Sequence, residues 1–226
     1  KGLVMRRVDN LAEGLRFYFI TDDQAPQLTP YTQVKIAVEA GATIIQYRRK
    51  AFDLRFYEEA LAIRQLCRAN AIPFVVNDHV LLALALEAEG VHLGQEDEDP
   101  SLVRQILGPQ AIIGISVSNL NELTHTDLTP CNYIGSGPVF PTSTKADAKK
   151  VRQLAGLEEI TQAASLPVVA IGGISHTNAA ACLQYGAAGV AVISTISRAQ
   201  DPSQNALKLG AACGVPRRSL ILPSQD

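Results

Sequence analysis

Residues 168–194 of the 226-residue chain read VVAIGGISHTNAAACLQYGAAGVAVIS. The stretch opens with one apolar run, Val168–Gly172, and closes with another, Gly189–Ser194, and both are typical of buried strands. The residues between them, His176–Tyr185, have the length of a helix, and Gly186 follows as a suitable left-handed helix cap. The stretch therefore predicts a strand, a helix and a second strand, the unit from which parallel sheets are built.

The same alternation of apolar runs and helix-length segments extends along the chain, with a period that changes between about 2 and about 3.6 residues. Eight runs predict strands, which are Arg16–Thr21, Thr43–Arg48, Pro73–Asn77, Gly90–Leu93, Ile112–Ser116, Tyr133–Ser136, Val168–Gly172 and Gly189–Ser194. The helices predicted between them include Asp53–Asn70, His79–Ala88, Ser101–Leu107, Asn119–Asp127, His176–Tyr185 and Ser203–Cys213. Eight such units in a chain of this length favour a closed (β/α)8 TIM barrel, an α/β fold, over an open doubly wound sheet.

No proline-rich or low-complexity stretch divides the chain, so a single domain is expected. The predicted barrel spans residues 15–215, with an N-terminal extension over 1–14 and a C-terminal tail over 216–226. Apolar residues make up 47% of the chain and charged residues 19%, a composition that can bury a full core.

Net charge and cysteine spacing narrow the class of protein. The formal net charge of -2 gives no overall attraction to nucleic acid or to an anionic membrane. Four widely separated cysteines match neither a zinc ribbon nor a disulfide scaffold, which predicts reduced thiols. The longest apolar stretch, Val80–Leu86, is far shorter than the roughly 20 residues of a membrane-spanning helix. These features favour a soluble cytoplasmic protein and leave its oligomeric state open.

A basic segment, residues 46–50 with the sequence QYRRK, ends the second predicted strand. Active sites of such barrels lie at the carboxyl ends of the strands, so polar residues there carry more weight than the same residues on helices. Because side chains alternate along an extended chain, Gln46, Arg48 and Lys50 are expected to face one point and to suit phosphate oxygens. The alternative is a solvated basic strand end without a ligand.

Acidic residues follow the next two strands. The third strand ends in Asn77-Asp78, and the loop after the fourth carries QEDED at residues 95–99. Neighbouring loops of a barrel can bring two carboxylates together, and magnesium is usually held by one or two carboxylates plus substrate phosphates. The alternative, an exposed acidic turn, is the expectation for Glu98 and Asp99.

Two further segments predict anion binding. Residues 135–145 read GSGPVFPTSTK and offer hydroxyls, backbone amides and Lys145, with an ordinary flexible turn as the alternative. The seventh and eighth strands end in Gly172-Gly173 and Ile193-Ser194, and the loops after these strands form the recurrent phosphate site of the fold. For the glycines, the alternative is that they only permit a tight turn. The mouth is therefore expected to hold two phosphate-bearing groups and one metal.

The four histidines lack the spacing of metal ligands, so a zinc site is not expected. His92 lies in the fourth strand and can point into the barrel mouth, although a buried, hydrogen-bonded histidine is the simpler expectation. No cysteine stands beside a histidine at a strand end, so no covalent nucleophile is predicted.

These motifs, in this order and spacing, resemble those of the thiamine phosphate synthase family, and the resemblance runs from about Arg16 to Ser197. The motifs that carry it are Gln46-x-Arg48-x-Lys50, Val76-Asn77-Asp78, residues 90–97 (GVHLGQED), Gly114-Ile115-Ser116, residues 137–145 (GPVFPTSTK), residues 169–174 (VAIGGI) and Val192-Ile193-Ser194. The resemblance implies a (β/α)8 transferase that joins 4-amino-2-methyl-5-hydroxymethylpyrimidine diphosphate to 4-methyl-5-(2-hydroxyethyl)thiazole phosphate and releases pyrophosphate.

The resemblance also implies roles for individual residues. The contacts to the pyrimidine diphosphate are expected from Gln46, Tyr47, Arg48, Arg49, Lys50, Asn77, Ser116 and Lys145, of which Arg48, Lys50 and Lys145 are the catalytic cations. The thiazole phosphate pocket is expected from Thr142, Ser143, Thr144, Gly173, Ile193 and Ser194. A magnesium ion, Mg²⁺, is expected on Asp78 and Asp97.

Two positions depart from the family pattern. Arg49 stands where the family often has glutamate, and His79 stands where arginine usually follows Asn-Asp. The first adds a positive charge near the diphosphate segment, and the second removes a permanent one. Altered affinity, with activity retained, is the expectation for both.

Two alternative functions remain at this point. A thiazole tautomerase of the same barrel family is expected to carry a histidine two residues after Ser116, where this chain has Ser118, so the synthase is favoured. A non-catalytic barrel that binds a phosphorylated metabolite keeps every phosphate contact and does not require the pair Asp78 and Asp97.

Overall fold

The computed structural model describes residues 11–142 and 151–223. Eight strands in this part of the chain pair in sequence order, all in parallel, and β1 pairs with β8 to close the barrel. The strands are β1 Phe17–Ile20, β2 Ile44–Tyr47, β3 Phe74–Asn77, β4 Gly90–Leu93, β5 Ile112–Ser116, β6 Tyr133–Ser136, β7 Val168–Ile171 and β8 Gly189–Val192. The predicted (β/α)8 barrel is confirmed, and each predicted strand is found within two residues of its expected ends.

Helices connect successive strands and cover the outside of the barrel. They are α1 Leu11–Gly14, α2 Pro30–Glu39, α3 Tyr57–Ala69, α4 Val80–Ala85, α5 Pro100–Leu107, α6 Leu120–His125, α7 Gln153–Ala163, α8 Ala179–Gln184, α9 Ser194–Ser197 and α10 Pro202–Cys213. A 3-10 turn, Leu54–Phe56, precedes α3. No helix within the described residues combines the length and the apolar character needed to cross a bilayer.

Side-chain alternation divides the buried residues into two layers. Tyr18 and Ile44 belong to a small cluster inside the barrel, whereas their neighbours Phe17 and Ile45 belong to the larger cluster between strands and helices. The lower part of the barrel interior is thus filled with side chains, as in other barrels of this class, and open space is left above it. The interior-facing positions near the strand ends are therefore the ones that can meet a ligand.

Local hydrogen bonds explain where two helices begin. Asn119 accepts from the Glu122 amide at 2.9 Å, and the Ser118 amide donates to the Glu122 carboxylate at 2.7 Å, so α6 starts with a side-chain cap, as its sequence spacing predicts. The helix predicted from His176 begins only at Ala179, because the Ser175 amide is held by the Asn178 side chain at 2.8 Å in a preceding turn. Similarly, β8 ends at Val192, before the predicted Ser194, since that serine opens the short helix α9.

The C-terminal segment lies against the helical layer. The Arg218 amide donates to the Glu39 carbonyl at 3.1 Å, and Asn70 and Ile221 exchange two hydrogen bonds of 2.8 and 2.9 Å. These contacts tie the described part of the segment to α2 and to the end of α3.

Candidate active site

A cavity of about 610 Å³ opens at the carboxyl ends of the strands. Its walls include most of the residues predicted from the sequence, namely Gln46, Arg48, Lys50, Asn77, Asp78, Asp97, Ser116, Thr142, Gly173, Ile193 and Ser194. The predicted residues Ser143, Thr144 and Lys145 lie outside the described part of the chain. A single cavity therefore brings together residues from the ends of many strands, as the closed topology requires.

The basic segment after β2 keeps its extended alternation beyond the last residue of the strand. The Thr21 hydroxyl at the end of β1 accepts a hydrogen bond of 2.8 Å from the Arg48 amide, which prolongs the pairing of these two strands. Gln46, Arg48 and Lys50 consequently all line the cavity. Gln46 is buried, Arg48 is half-buried and Lys50 is exposed, so the positive charge increases toward the opening.

Tyr47 and Arg49 face the helical layer and do not line the cavity, so a substrate contact by either residue stays a prediction. The Tyr47 hydroxyl donates to Glu59 on α3 at 3.0 Å, and the Arg49 guanidinium pairs with the same carboxylate at 2.9 Å. Arg49 also stacks on the Phe56 ring at 3.5 Å and lies 3.9 Å from Asp23. The positive charge that Arg49 adds relative to the family pattern is thus used in ion pairs and ring stacking between the end of β2 and the helical layer.

The substitution Arg49→Glu is expected to lower the stability of the fold by about 2–4 kcal/mol, with little change in the KM for either substrate. It would bring a third carboxylate up to Asp23 and Glu59, whose side chains are only 4% and 24% exposed. Urea denaturation measures the effect, with Arg55→Glu as the matched control because the Arg55 side chain is 81% exposed. A tenfold change in the KM of the pyrimidine diphosphate at unchanged stability would contradict this placement.

Asp78 and Asp97 line the same cavity from neighbouring loops. Asp78 has a left-handed backbone, with φ of +61°, and its amide donates to the His92 carbonyl at 2.9 Å, which fixes the turn at the end of β3. Its carboxylate accepts from the Asn77 side chain, and the Asp97 carboxylate accepts from the Gly94 amide. Both carboxylates are thus oriented by short local contacts at the rim.

Asp78 and Asp97 supply carboxylate oxygens, the kind of ligand that magnesium prefers. Within residues 11–142 and 151–223, no group of three or more His, Cys, Asp and Glu side chains is placed to hold a metal ion. Magnesium does not need such a group, because it keeps several waters and takes substrate phosphate oxygens as ligands. Glu98 and Asp99 are exposed and do not line the cavity, and Asp99 instead caps α5.

The loops after β6 and β7 pack tightly where the thiazole phosphate pocket is expected. The Phe140 amide donates to the Gly172 carbonyl at 3.0 Å. Gly172 and Gly173 have left-handed backbones, with φ of +99° and +62°, and a Cβ on Gly173 would lie 2.4 Å from the Pro141 carbonyl oxygen. Glycine is therefore required at position 173 both by conformation and by space.

A chain of hydrogen bonds crosses the floor of the cavity. The Gln46 side-chain amide donates to the Tyr18 hydroxyl at 2.9 Å. The Tyr18 hydroxyl in turn lies 2.7 Å from the Tyr133 hydroxyl. His92 joins Tyr133 to Ser116, with its Nδ1 2.9 Å from the Tyr133 hydroxyl and its Nε2 2.9 Å from the Ser116 hydroxyl. We call these five residues the floor chain.

Burial raises the pKa of both tyrosines in the floor chain, and for Tyr133 the neighbouring Tyr18 raises it further. Both phenols therefore keep their protons and can donate. Sequence reasoning did not single out Tyr18 or Tyr133. The signal that would have found them is strand alternation, because Tyr18 is two residues before Ile20 on one strand and Tyr133 is two residues before Gly135 on another, and all four residues line the cavity.

Comparison with known proteins gives consistent matches. The family model for thiamine monophosphate synthase matches residues 17–196. A thiamine-phosphate synthase of Vibrio campbellii is 41% identical over 188 residues, which are 83% of this chain and 92% of that protein. A thiamine-phosphate synthase of Persephonella marina is 40% identical over 210 residues, 91% of this chain and 96% of that protein. The solved structure of a thiamine phosphate pyrophosphorylase from Pyrococcus furiosus is 39% identical, has a TM-score of 0.82 and covers 91% of this chain and 98% of its own.

Proposed function

Since the chain belongs to the thiamine monophosphate synthase family, we propose that the cavity at the mouth of its barrel joins two phosphorylated substrates with the help of magnesium. The chain is a transferase that condenses 4-amino-2-methyl-5-hydroxymethylpyrimidine diphosphate with 4-methyl-5-(2-hydroxyethyl)thiazole phosphate to give thiamine phosphate and pyrophosphate. The observation that carries the magnesium-assisted form of this reaction is the presence of Asp78, Asp97, Arg48 and Lys50 in one cavity.

The proposed diphosphate end of the site lies between the basic segment and the two aspartates. Arg48 and Lys50 supply fixed positive charge from one wall, and Asn77 supplies an amide beside Asp78. Asp78 and Asp97 would hold the magnesium ion. When bound, this ion supplies positive charge that neutralises the departing pyrophosphate. The family resemblance adds Lys145, which lies outside the described residues, to this set.

The reaction itself needs positioning and electrostatics more than a reactive side chain. The bond between the pyrimidine methylene carbon and the diphosphate oxygen breaks, and the electron pair leaves with the pyrophosphate. The electron-rich aminopyrimidine supports the positive charge on the methylene carbon, and the thiazole nitrogen then forms the new bond with its lone pair. Arg48 and Lys50 stabilise the growing negative charge of the leaving group. None of the four cysteines, which are all buried, lines the cavity.

The thiazole phosphate is proposed to bind at the opposite wall. Thr142 offers a hydroxyl from the loop after β6, and Gly173 allows a phosphate to approach the backbone after β7. Ile193 and Ser194 at the end of β8 complete the described part of this wall, and Ser143 and Thr144 are the family positions outside it. Two anion sites on opposite sides of the cavity suit two substrates that meet at its centre.

The position that distinguishes the tautomerase alternative also lies at the cavity. Ser118 lines the wall where that enzyme is expected to carry a histidine. Serine is a poor proton-transfer group at neutral pH, so this position favours the synthase.

The compartment we propose is the cytoplasm, which suits four cysteines held as free thiols.

The decisive experiment incubates the purified chain with both substrates, with magnesium and with a chelator. We expect thiamine phosphate and pyrophosphate in equal amounts, and only when magnesium is present. No product under either condition would exclude the catalytic function and leave a barrel that only binds a metabolite. Full product formation in the presence of the chelator would exclude the magnesium site alone.

A further inference from the structure

The floor chain has a single direction when each of its hydroxyl and ring protons is donated to the next residue of the chain. Gln46 Nε2 can only donate, so when every hydroxyl proton is used within the chain, the Tyr18 hydroxyl accepts from Gln46 and gives its own proton to the Tyr133 oxygen. Under the same condition Tyr133 donates to His92 Nδ1, which assigns to His92 the tautomer with its proton on Nε2. His92 Nε2 carries the ring proton and donates to the Ser116 hydroxyl oxygen.

Both ends of the floor chain line the cavity, and they present opposite hydrogen-bonding groups to it, an acceptor at one end and a donor at the other. Gln46 uses its NH₂ group on Tyr18 and has its carbonyl oxygen as acceptor for a ligand. Ser116 accepts from His92 and has its hydroxyl proton as donor for a ligand. Reversing either end requires every bond between them to reverse, including the tautomer of His92 and the amide orientation of Gln46.

We propose that Tyr18, Tyr133 and His92 are positioning residues that fix Gln46 as an acceptor and Ser116 as a donor, so that the site selects an aminopyrimidine over its deaminated form. This inference rests on the proposed function, in which Gln46 and Ser116 contact the pyrimidine. The 4-amino compound presents an N–H donor beside an unprotonated ring nitrogen, which complements one acceptor and one donor. The 4-oxo compound presents a carbonyl beside a ring N–H, which is the reverse pattern.

Removing a hydrogen bond from the middle of the floor chain should abolish the preference for the aminopyrimidine while Gln46 and Ser116 stay in place. In Tyr133→Phe, the Tyr18 hydroxyl loses its acceptor and His92 Nδ1 loses its donor, so each half can reverse without the other. The variant removes one oxygen atom from a buried ring and adds no bulk. Gln46, His92 and Ser116 all remain. The Tyr133 hydroxyl itself lies at the cavity, but it is engaged with Tyr18 and His92, so a loss of selection is expected to come from the broken chain.

The test measures binding of the unreactive monophosphates of 4-amino- and 4-oxo-2-methyl-5-hydroxymethylpyrimidine by calorimetry, with inorganic pyrophosphate as a third probe. We expect the native chain to prefer the amino compound, and Tyr133→Phe to reduce that preference about tenfold, the scale of one neutral hydrogen bond. Pyrophosphate affinity should not change in the variant. Tyr57→Phe is the control, because its hydroxyl contacts the Ala85 carbonyl on the outside of the barrel and does not line the cavity.

Each outcome has a definite meaning. An unchanged amino-to-oxo ratio in Tyr133→Phe, or no preference in the native chain, would overturn the inference and leave the proposed function intact. Failure of the native chain to bind either pyrimidine would overturn the proposed function itself. Loss of pyrophosphate affinity in Tyr133→Phe would indicate a disturbed fold. In that case Tyr18→Phe, which interrupts the floor chain next to Gln46, is measured instead. A reduced ratio of amino to oxo affinity in Tyr18→Phe would support the inference, and an unchanged ratio would overturn it.

Discussion

Replacing Asp78 by asparagine is expected to lower the turnover of thiamine phosphate formation about a hundredfold, the scale of losing one preorganised electrostatic contact. Asparagine tolerates the left-handed backbone found at this position, where φ is +61°, so the turn after β3 should survive the change. What is lost is one negative charge at the rim, on the side of the cavity shared with Asp97. The magnesium concentration needed for half-maximal rate should rise together with the fall in turnover.

The control for this experiment is Glu98→Gln. It removes a negative charge from the same acidic loop as Asp97, but from an exposed position that does not line the cavity. Its turnover and magnesium dependence should match those of the native chain. If Asp78→Asn kept full activity at low magnesium, the assignment of the two aspartates to the metal would be wrong.

A second large effect is expected from Gly173→Ala, which should lower the kcat/KM for thiazole phosphate about a hundredfold by displacing the two loops that form its pocket. An added Cβ would meet the Pro141 carbonyl oxygen at 2.4 Å and the Phe140 Cβ at 2.8 Å, so the loop after β6 must move away from the loop after β7. The affinity for the pyrimidine diphosphate, which we propose to bind at the other wall, should change much less. Steady-state kinetics with each substrate varied in turn measures both quantities.

Gly214→Ala is the matched control because Gly214 also has a left-handed backbone, with φ of +71°, but a Cβ there would meet nothing within 4 Å. It therefore carries the same conformational penalty without the collision. A similar loss of thiazole phosphate kinetics in both variants would show that general destabilisation, and not the pocket, is responsible.

The residues that line the cavity could largely be predicted, because strands that follow one another in sequence are neighbours in a parallel barrel. Once the eight strands were located, the ends of the second and third strands had to lie side by side, which placed Arg48 and Lys50 in the same cavity as Asp78. Period-two alternation also indicated which residues of the basic segment line the cavity. The expected substrate contacts of Tyr47 and Arg49 stay predictions, since alternation turns both side chains toward α3.

Other features depended on contacts that no local pattern reveals. The floor chain joins residues on five strands, and Tyr18 and Tyr133 are 115 positions apart in sequence. Helix α9 was not predicted because its four residues are too few to show periodicity. The late start of α8 depends on one side-chain hydrogen bond from the Ser175 amide to Asn178, which competes with the first helical turn.

The outward position of Arg49 has a consequence for how sequences of this kind diverge. The Arg49 charge is balanced by Glu59 and Asp23, outside the cavity. We therefore expect a substitution at position 49 to affect folding and not the reaction. We expect a change in the sign of residue 49 to be tolerated when the facing residue of α3 changes sign as well. Homologues with glutamate at position 49 are therefore expected to carry a basic residue at position 59 more often than homologues with arginine there.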